Sequence, residues 1–260
     1  MPTILFDSTI FGPVSSRRLG VSLGVNLLPV DRKLCSFDCV YCECGLNASS
    51  RSAAPAAMPT RAEVAALLRE RLLDMARTGV RPDVITFAGN GEPTLHADFA
   101  SIIADTLEIR GSLCPQARVA VLSNATQLHR PDVVEALRTV DDNILKLDSG
   151  LTSTVLRLDR PQAAYGVERV VEQMRQFAGR LTVQTMFVRG TIGGEPFDNT
   201  SAPDVDAWLR CLDTLRPQGL MVYTIARATP LPTLVKVSRP ELEALAAKAA
   251  PLVGSVSVSD

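Results

Sequence analysis

The chain has 260 residues, 46% of them hydrophobic, and its 27 basic and 28 acidic side chains leave a net charge of −1. That length suits one sizeable core, and so neutral a balance excludes bulk attraction to nucleic acid or to an anionic membrane. No segment approaches the ~20 uninterrupted apolar residues of a membrane span. The start, Met1-Pro2-Thr3-Ile4-Leu5-Phe6-Asp7, lacks the basic and apolar regions of a secretory signal, so a cytoplasmic protein with no membrane partner is expected.

In chain order, residues 1–19 read as an N-terminal extension to a core of residues 20–260 that ends in a C-terminal strand. An early strand is predicted near residues 20–28. A cysteine-rich loop follows it, and residues 48–59, rich in Ala, Ser and Pro, read as a flexible loop. Thr60-Arg61-Ala62-Glu63 has capping-box spacing and opens a helix with Val64, Leu67, Leu68, Leu72 and Met75 on one face. Further helices are predicted over residues 98–109, 131–139, 161–178, 203–215 and 239–250.

Between the helices stand short apolar runs: Val84-Ile85-Thr86-Phe87, Val119-Ala120-Val121-Leu122, Ile144-Leu145-Lys146-Leu147, residues 181–187 and residues 220–225. Nearly continuous runs of this kind suit strands buried on both faces of a parallel sheet. Residues 189–202, with Gly190, Gly193, Gly194 and Pro196, read as an irregular stretch over the mouth of the site. About six strand–helix units imply parallel pairing with right-handed crossovers. The expected fold is α/β, a partial (β/α)6 TIM-like barrel with the cysteine loop after the first strand; a doubly wound sheet is the alternative. In either case ligands bind at the C-terminal ends of the strands.

Four of six cysteines, Cys35, Cys39, Cys42 and Cys44, fall within ten residues, whereas Cys114 and Cys211 stand alone as ordinary buried thiols. The cluster is unlike the dispersed framework of a disulfide-bonded secreted domain. Cys35-x3-Cys39-x2-Cys42 can wrap one metal centre, and soft thiolates select zinc, Cu(I) or iron–sulfur clusters. A structural zinc site normally closes four ligands in two separated pairs, and His96 and His129 supply no second pair. Three thiolates on a cubane leave one iron open, which is a catalytic arrangement; a carrier of electrons uses four. A non-catalytic iron–sulfur electron-transfer or sensor protein, with Cys44 as fourth ligand, is the alternative.

Cys35-x3-Cys39-x-Tyr41-Cys42, with an aromatic residue before the third cysteine, resembles the signature of the radical S-adenosylmethionine superfamily. The resemblance implies a 4Fe–4S cluster on Cys35, Cys39 and Cys42, with S-adenosylmethionine chelated at the open iron. It further implies reductive cleavage of that cofactor to a 5′-deoxyadenosyl radical, which abstracts hydrogen from a substrate. Gly89-Asn90-Gly91-Glu92, after the second predicted strand, is similar to the family's Gly-Gly-Glu element, which holds the cofactor's amino group.

Tyr41 and the strand-end residues Ser123, Asn124, Asp148 and Gln184 resemble cofactor contacts by position, as do Lys146 and Ser149. His96 reads as a polar residue beside the glycine-rich loop. Phe11–Asn26 and Tyr223–Pro230 resemble a short subgroup related to the wyosine-type tRNA synthases. Those synthases carry further cysteines for a second cluster; none precedes Cys35, so one cluster is expected. Arg17, Arg18 and Arg227 offer fork-shaped donors for a carboxylate or phosphate of substrate, or for structural ion pairs. The implied partners are a reductant such as flavodoxin or ferredoxin and an unidentified substrate, whether small molecule, peptide or RNA nucleoside.

Overall fold

The computed structural model describes residues 4–16, 19–47 and 57–260. Among these, eight strands form one sheet. It begins with a hairpin, β1 (Ile10–Ser16) antiparallel to β2 (Gly20–Val25), so part of the expected N-terminal extension adds a strand to the core. Then come α1 (Arg61–Arg77), β3 (Val84–Phe87), α2 (Phe99–Leu113), β4 (Arg118–Ser123), α3 (Pro131–Thr139) and β5 (Asp142–Lys146). The chain continues through α4 (Thr152–Leu158), α5 (Val167–Met174), β6 (Thr182–Met186), α6 (Ala202–Leu215), β9 (Gly219–Tyr223), α7 (Arg239–Ala249) and β11 (Val256–Ser259). The sheet order is β1-β2-β3-β4-β5-β6-β9-β11, parallel from β2 onward. It curls into a half-barrel: the six predicted strands, with β1 at one edge and β11 at the other.

Alternation along the strands divides the side chains between two faces. Ile85, Val119, Val121, Leu145 and Val183 belong to the main core, which also takes Val64, Leu68, Ile102, Val133, Val170 and Trp208 from the helices. The opposite face carries a small separate cluster of Val84, Ala120 and Ile144, with Leu122 and Met221 packed on it. Higher on that inner face lie hydrophilic residues: Ser22 bonded to Thr86 at 2.8 Å, then Lys146 and Gln184. The concave side is therefore dry at its base and polar toward the C-terminal rim.

The capping box at Thr60 is present, with Thr60 N donating to Glu63 at 2.7 Å and Glu63 N to the Thr60 hydroxyl at 3.2 Å. Two expectations are corrected. Residues 189–202 are not irregular. They contain β7 (Val188–Ile192) and β8 (Glu195–Asp198), a hairpin turning at Gly193 and Gly194, and with β10 (Leu234–Lys236) they form a second antiparallel sheet. Nor is 161–178 one helix. Pro161 makes a bridge to Phe37, holding that part extended, and the helix starts at Val167 after the extended cap Gly166. Residues 48–56 of the expected flexible loop lie outside the described residues. No helix among the described residues is long and apolar enough to cross a membrane.

Candidate cluster and cofactor site

The cysteine loop leaves β2 at Asn26, whose side chain brackets the next turn through Leu28 and also accepts the Asn90 N–H at 3.1 Å. Backbone bonds then clamp the loop from two sides. Leu34 N donates to Asn90 O at 2.8 Å and Glu92 N to Leu34 O at 3.2 Å, while Asp38 N reaches Asp159 O at 2.8 Å and Val40 N reaches Leu158 O at 2.9 Å. Asn47 fills the bend, accepting from Cys35 N at 3.1 Å and donating to the Cys35 and Phe37 carbonyls. Phe37 and Val40 are buried beneath it.

So fastened, the loop turns Cys35, Cys39 and Cys42 into one cavity of about 210 Å³. Gly89, Gly91 and Glu92 from the end of β3, Ser123 and Asn124 from the end of β4, and Lys146 and Gln184 line the rest. Gly91, at φ +149°, lies so close to the loop that a Cβ there would run into the Leu34 carbonyl. Only glycine fits both that conformation and that approach.

Burial pushes the Cys35 thiol up to about 12 and the Cys39 thiol well above its usual value. A hydrogen bond from the Cys44 thiol, helped by Lys33, brings Cys42 down to about 6. A metal centre bound here would draw all three toward thiolate, because the thiolate is the ligand. Among the described residues no three His, Cys, Asp or Glu side chains converge as a single-ion site requires. Three soft donors lining one cavity would suit an iron–sulfur cluster. Cys44 does not line this cavity; its Sγ lies beside Cys42 and within 3.3 Å of Gly89 O.

The strand-end residues do different things. Glu92 is buried, and its carboxylate accepts from Thr94 N at 3.1 Å, the Ser123 hydroxyl at 2.9 Å and Asn124 N at 2.7 Å. Burial still raises its pKa, outweighing those bonds. Asn124 donates to Ser36 Oγ at 2.9 Å and points toward Cys35 Sγ. Asn90 faces the other way, clamping Phe6 at 2.9 Å and 2.8 Å and Pro29 at 2.8 Å. His96 bonds Pro59 O at 2.8 Å, and Ser149 bonds Asp204 at 2.8 Å.

Tyr41 anchors a buried network that runs beneath the loop. Its hydroxyl meets Asp148 and the Lys146 ammonium, and Asp159 Oδ1 at 3.2 Å. Asp148 in turn accepts from Lys146 at 3.0 Å and from Met186 N at 2.8 Å, which ties β5, β6 and the loop together. Burial, then the neighbouring Asp148 charge, raise Asp159 to about 8. Asp159 was not singled out from sequence: it follows α4 and meets Tyr41 only through a contact 118 residues long. Lys33 was also missed, although a lysine two residues before Cys35 was visible in the sequence.

A second cavity of about 220 Å³ shares Tyr41, Cys42 and Gln184 with the first. Met186, Tyr223, Thr224, Ile225 and Arg227 complete its wall. Arg227 is exposed there and pairs with Glu43 Oε2 at 2.6 Å. Arg17 and Arg18 lie outside the described residues.

A family model described as the radical SAM superfamily matches residues 33–195. The chain is 33% identical over 227 residues to the UPF0026 protein slr1464 of Synechocystis, covering 85% of this chain and 77% of that protein. It is 28% identical over 224 residues to a Brachyspira hyodysenteriae protein named GTPase Obg, of which it spans only 30%. In fold, it matches a radical SAM methyltransferase from Sphaerobacter thermophilus at a TM-score of 0.66 and 15% identity, over 92% of this chain and 65% of that one. Archaeal TYW1 matches at a TM-score of 0.53 and 12% identity, over 89% of this chain and 72% of that one. With its three-cysteine loop, its half-barrel and a family model spanning most of its length, the chain belongs to the radical SAM superfamily and, within it, to the UPF0026 proteins.

Proposed function

We propose that the protein binds a 4Fe–4S cluster on Cys35, Cys39 and Cys42 and, beside it, S-adenosylmethionine, which it cleaves reductively to start hydrogen abstraction from a substrate. When bound, this pair supplies a 5′-deoxyadenosyl radical from one electron delivered by a reductant such as flavodoxin or ferredoxin. The observation that carries the reading is the shared cavity: three thiols of one pinned loop open on the same space as the ends of β3, β4 and β5.

The chain's own part is to hold and to exclude. The Gly89–Glu92 turn brings backbone close to the cavity, where the cofactor's amino end would find acceptors. Ser123 and Asn124 line the adjoining wall, and Tyr41 and Gln184 stand between the two cavities. The second cavity then receives the substrate, with Arg227 at its edge. Its class, whether small molecule, peptide or RNA nucleoside, is set by that wall. The protein would act as a cytoplasmic oxidoreductase of the radical type.

Anaerobic reconstitution tests this. The expected product binds about four irons per chain, changes its electron paramagnetic spectrum when S-adenosylmethionine is added, and forms 5′-deoxyadenosine with dithionite. A loaded protein whose spectrum ignores the cofactor, and which forms no 5′-deoxyadenosine, would point instead to an electron carrier or sensor.

A further inference from the structure

Lys33 is the one lysine in the cysteine loop, and its side chain is only 1% exposed. A buried ammonium needs partners, because burial penalises its charge. Two are in place, both supplied by the loop itself: Gly45 O at 3.0 Å and Asp38 Oδ1 at 3.4 Å. An ammonium has three N–H donors, and Lys33 lines the same cavity as Cys35, Cys39 and Cys42.

We infer that Lys33 is a positioning residue for the cluster's charge, a fixed cation that stabilises the thiolate-bound cluster and raises its reduction potential. This rests on the reading of Cys35, Cys39 and Cys42 as cluster ligands. Three thiolates and the nearby Asp38 carboxylate add negative charge, and one-electron reduction adds another unit. A cation within the same low-dielectric pocket favours the reduced form more than the oxidised one.

The test compares wild type, Lys33→Met and Lys33→Arg after anaerobic reconstitution, without added cofactor. Iron content and midpoint potential, from a redox titration followed by electron paramagnetic resonance, are the readouts. Lys33→Met is expected to shift the midpoint to more negative potential, and Lys33→Arg to stay near wild type. If Lys33→Met takes up no iron while Lys33→Arg does, the charge is again the cause. A wild-type midpoint in a fully loaded Lys33→Met protein overturns the inference, as does an equal shift in both variants. Failure of both variants to load also overturns it, because the lysine then serves only to close the loop. Failure of the wild type to load strikes the cluster assignment itself.

Discussion

The Asn124 backbone N–H donates to Glu92 Oε2 at 2.7 Å and so joins the C-terminal ends of the neighbouring parallel strands β3 and β4. Both carboxylate oxygens of Glu92 are engaged, one by Thr94 and Ser123 and the other by Asn124. Glutamine offers a single acceptor oxygen and places an amide donor where the other stood. Glu92→Gln should therefore destabilise the fold by about 1–3 kcal/mol, measured as a lower urea midpoint with an unchanged m-value.

Gly91→Ala sets a Cβ against the Leu34 carbonyl at a φ that disfavours any side chain. The cost should be about 2–4 kcal/mol from strain and overlap. It should also loosen the bond from Glu92 N to Leu34 O that holds the cysteine loop. Faster amide exchange across residues 34–44 in the variant, by mass spectrometry, checks the second effect separately from the first.

Tyr41→Phe keeps the ring between the two cavities and removes only the hydroxyl. Asp148, Asp159 and Lys146 each lose a buried partner. The expected loss is about 1–3 kcal/mol, seen as a lowered thermal midpoint, with iron uptake retained.

Cys44→Ala should leave iron uptake intact, since Cys35, Cys39 and Cys42 line the cavity and Cys44 does not. Cys35→Ser, Cys39→Ser and Cys42→Ser should each lose most of the iron. Colorimetric iron assays on the four variants decide the matter, and a Cys44→Ala protein without iron would return that residue to the ligand set.

Glu241 closes the cap of α7, accepting from the Ser238 hydroxyl at 2.6 Å and pairing with Arg189 at 2.7 Å. Those bonds, the Ser238 ones first, lower its pKa from 4.5 to about 2. A depressed acid contributes stability above its unfolded value of 4.5 that is lost as pH falls through about 2. Thermal unfolding followed downward across that window should show a steeper fall in wild type than in Glu241→Gln.

The parts legible in the sequence are those written in local pattern. Val84–Phe87 and Thr182–Met186 announce themselves because parallel strands are covered on both faces, and Thr60 and Glu63 because a capping box has fixed spacing. The cysteine triad is equally local. The small sheet of β7, β8 and β10 escaped because Gly190, Gly193 and Gly194 mask a short hairpin, and its third strand comes from far along the chain, Val235 opposite Arg189. Asp159 escaped for the same reason: a carboxylate after a helix says nothing about a tyrosine in another loop. Asn90 sits inside a cofactor-like motif, yet its amide clamps Phe6 and Pro29, a use that no motif spells out.

Because β2, β3, β4, β5, β6 and β9 run parallel, the residues lining the two cavities gather toward one rim of the half-barrel. The connections at the opposite rim, such as the turn at Gly79, where a side chain would meet nothing within 4 Å, carry none of them. Length and composition can vary on that side without disturbing the cysteine loop. Insertions, fusion partners or affinity tags grafted there should be tolerated, whereas the same additions after β3 or β4 would fall directly on the chemistry.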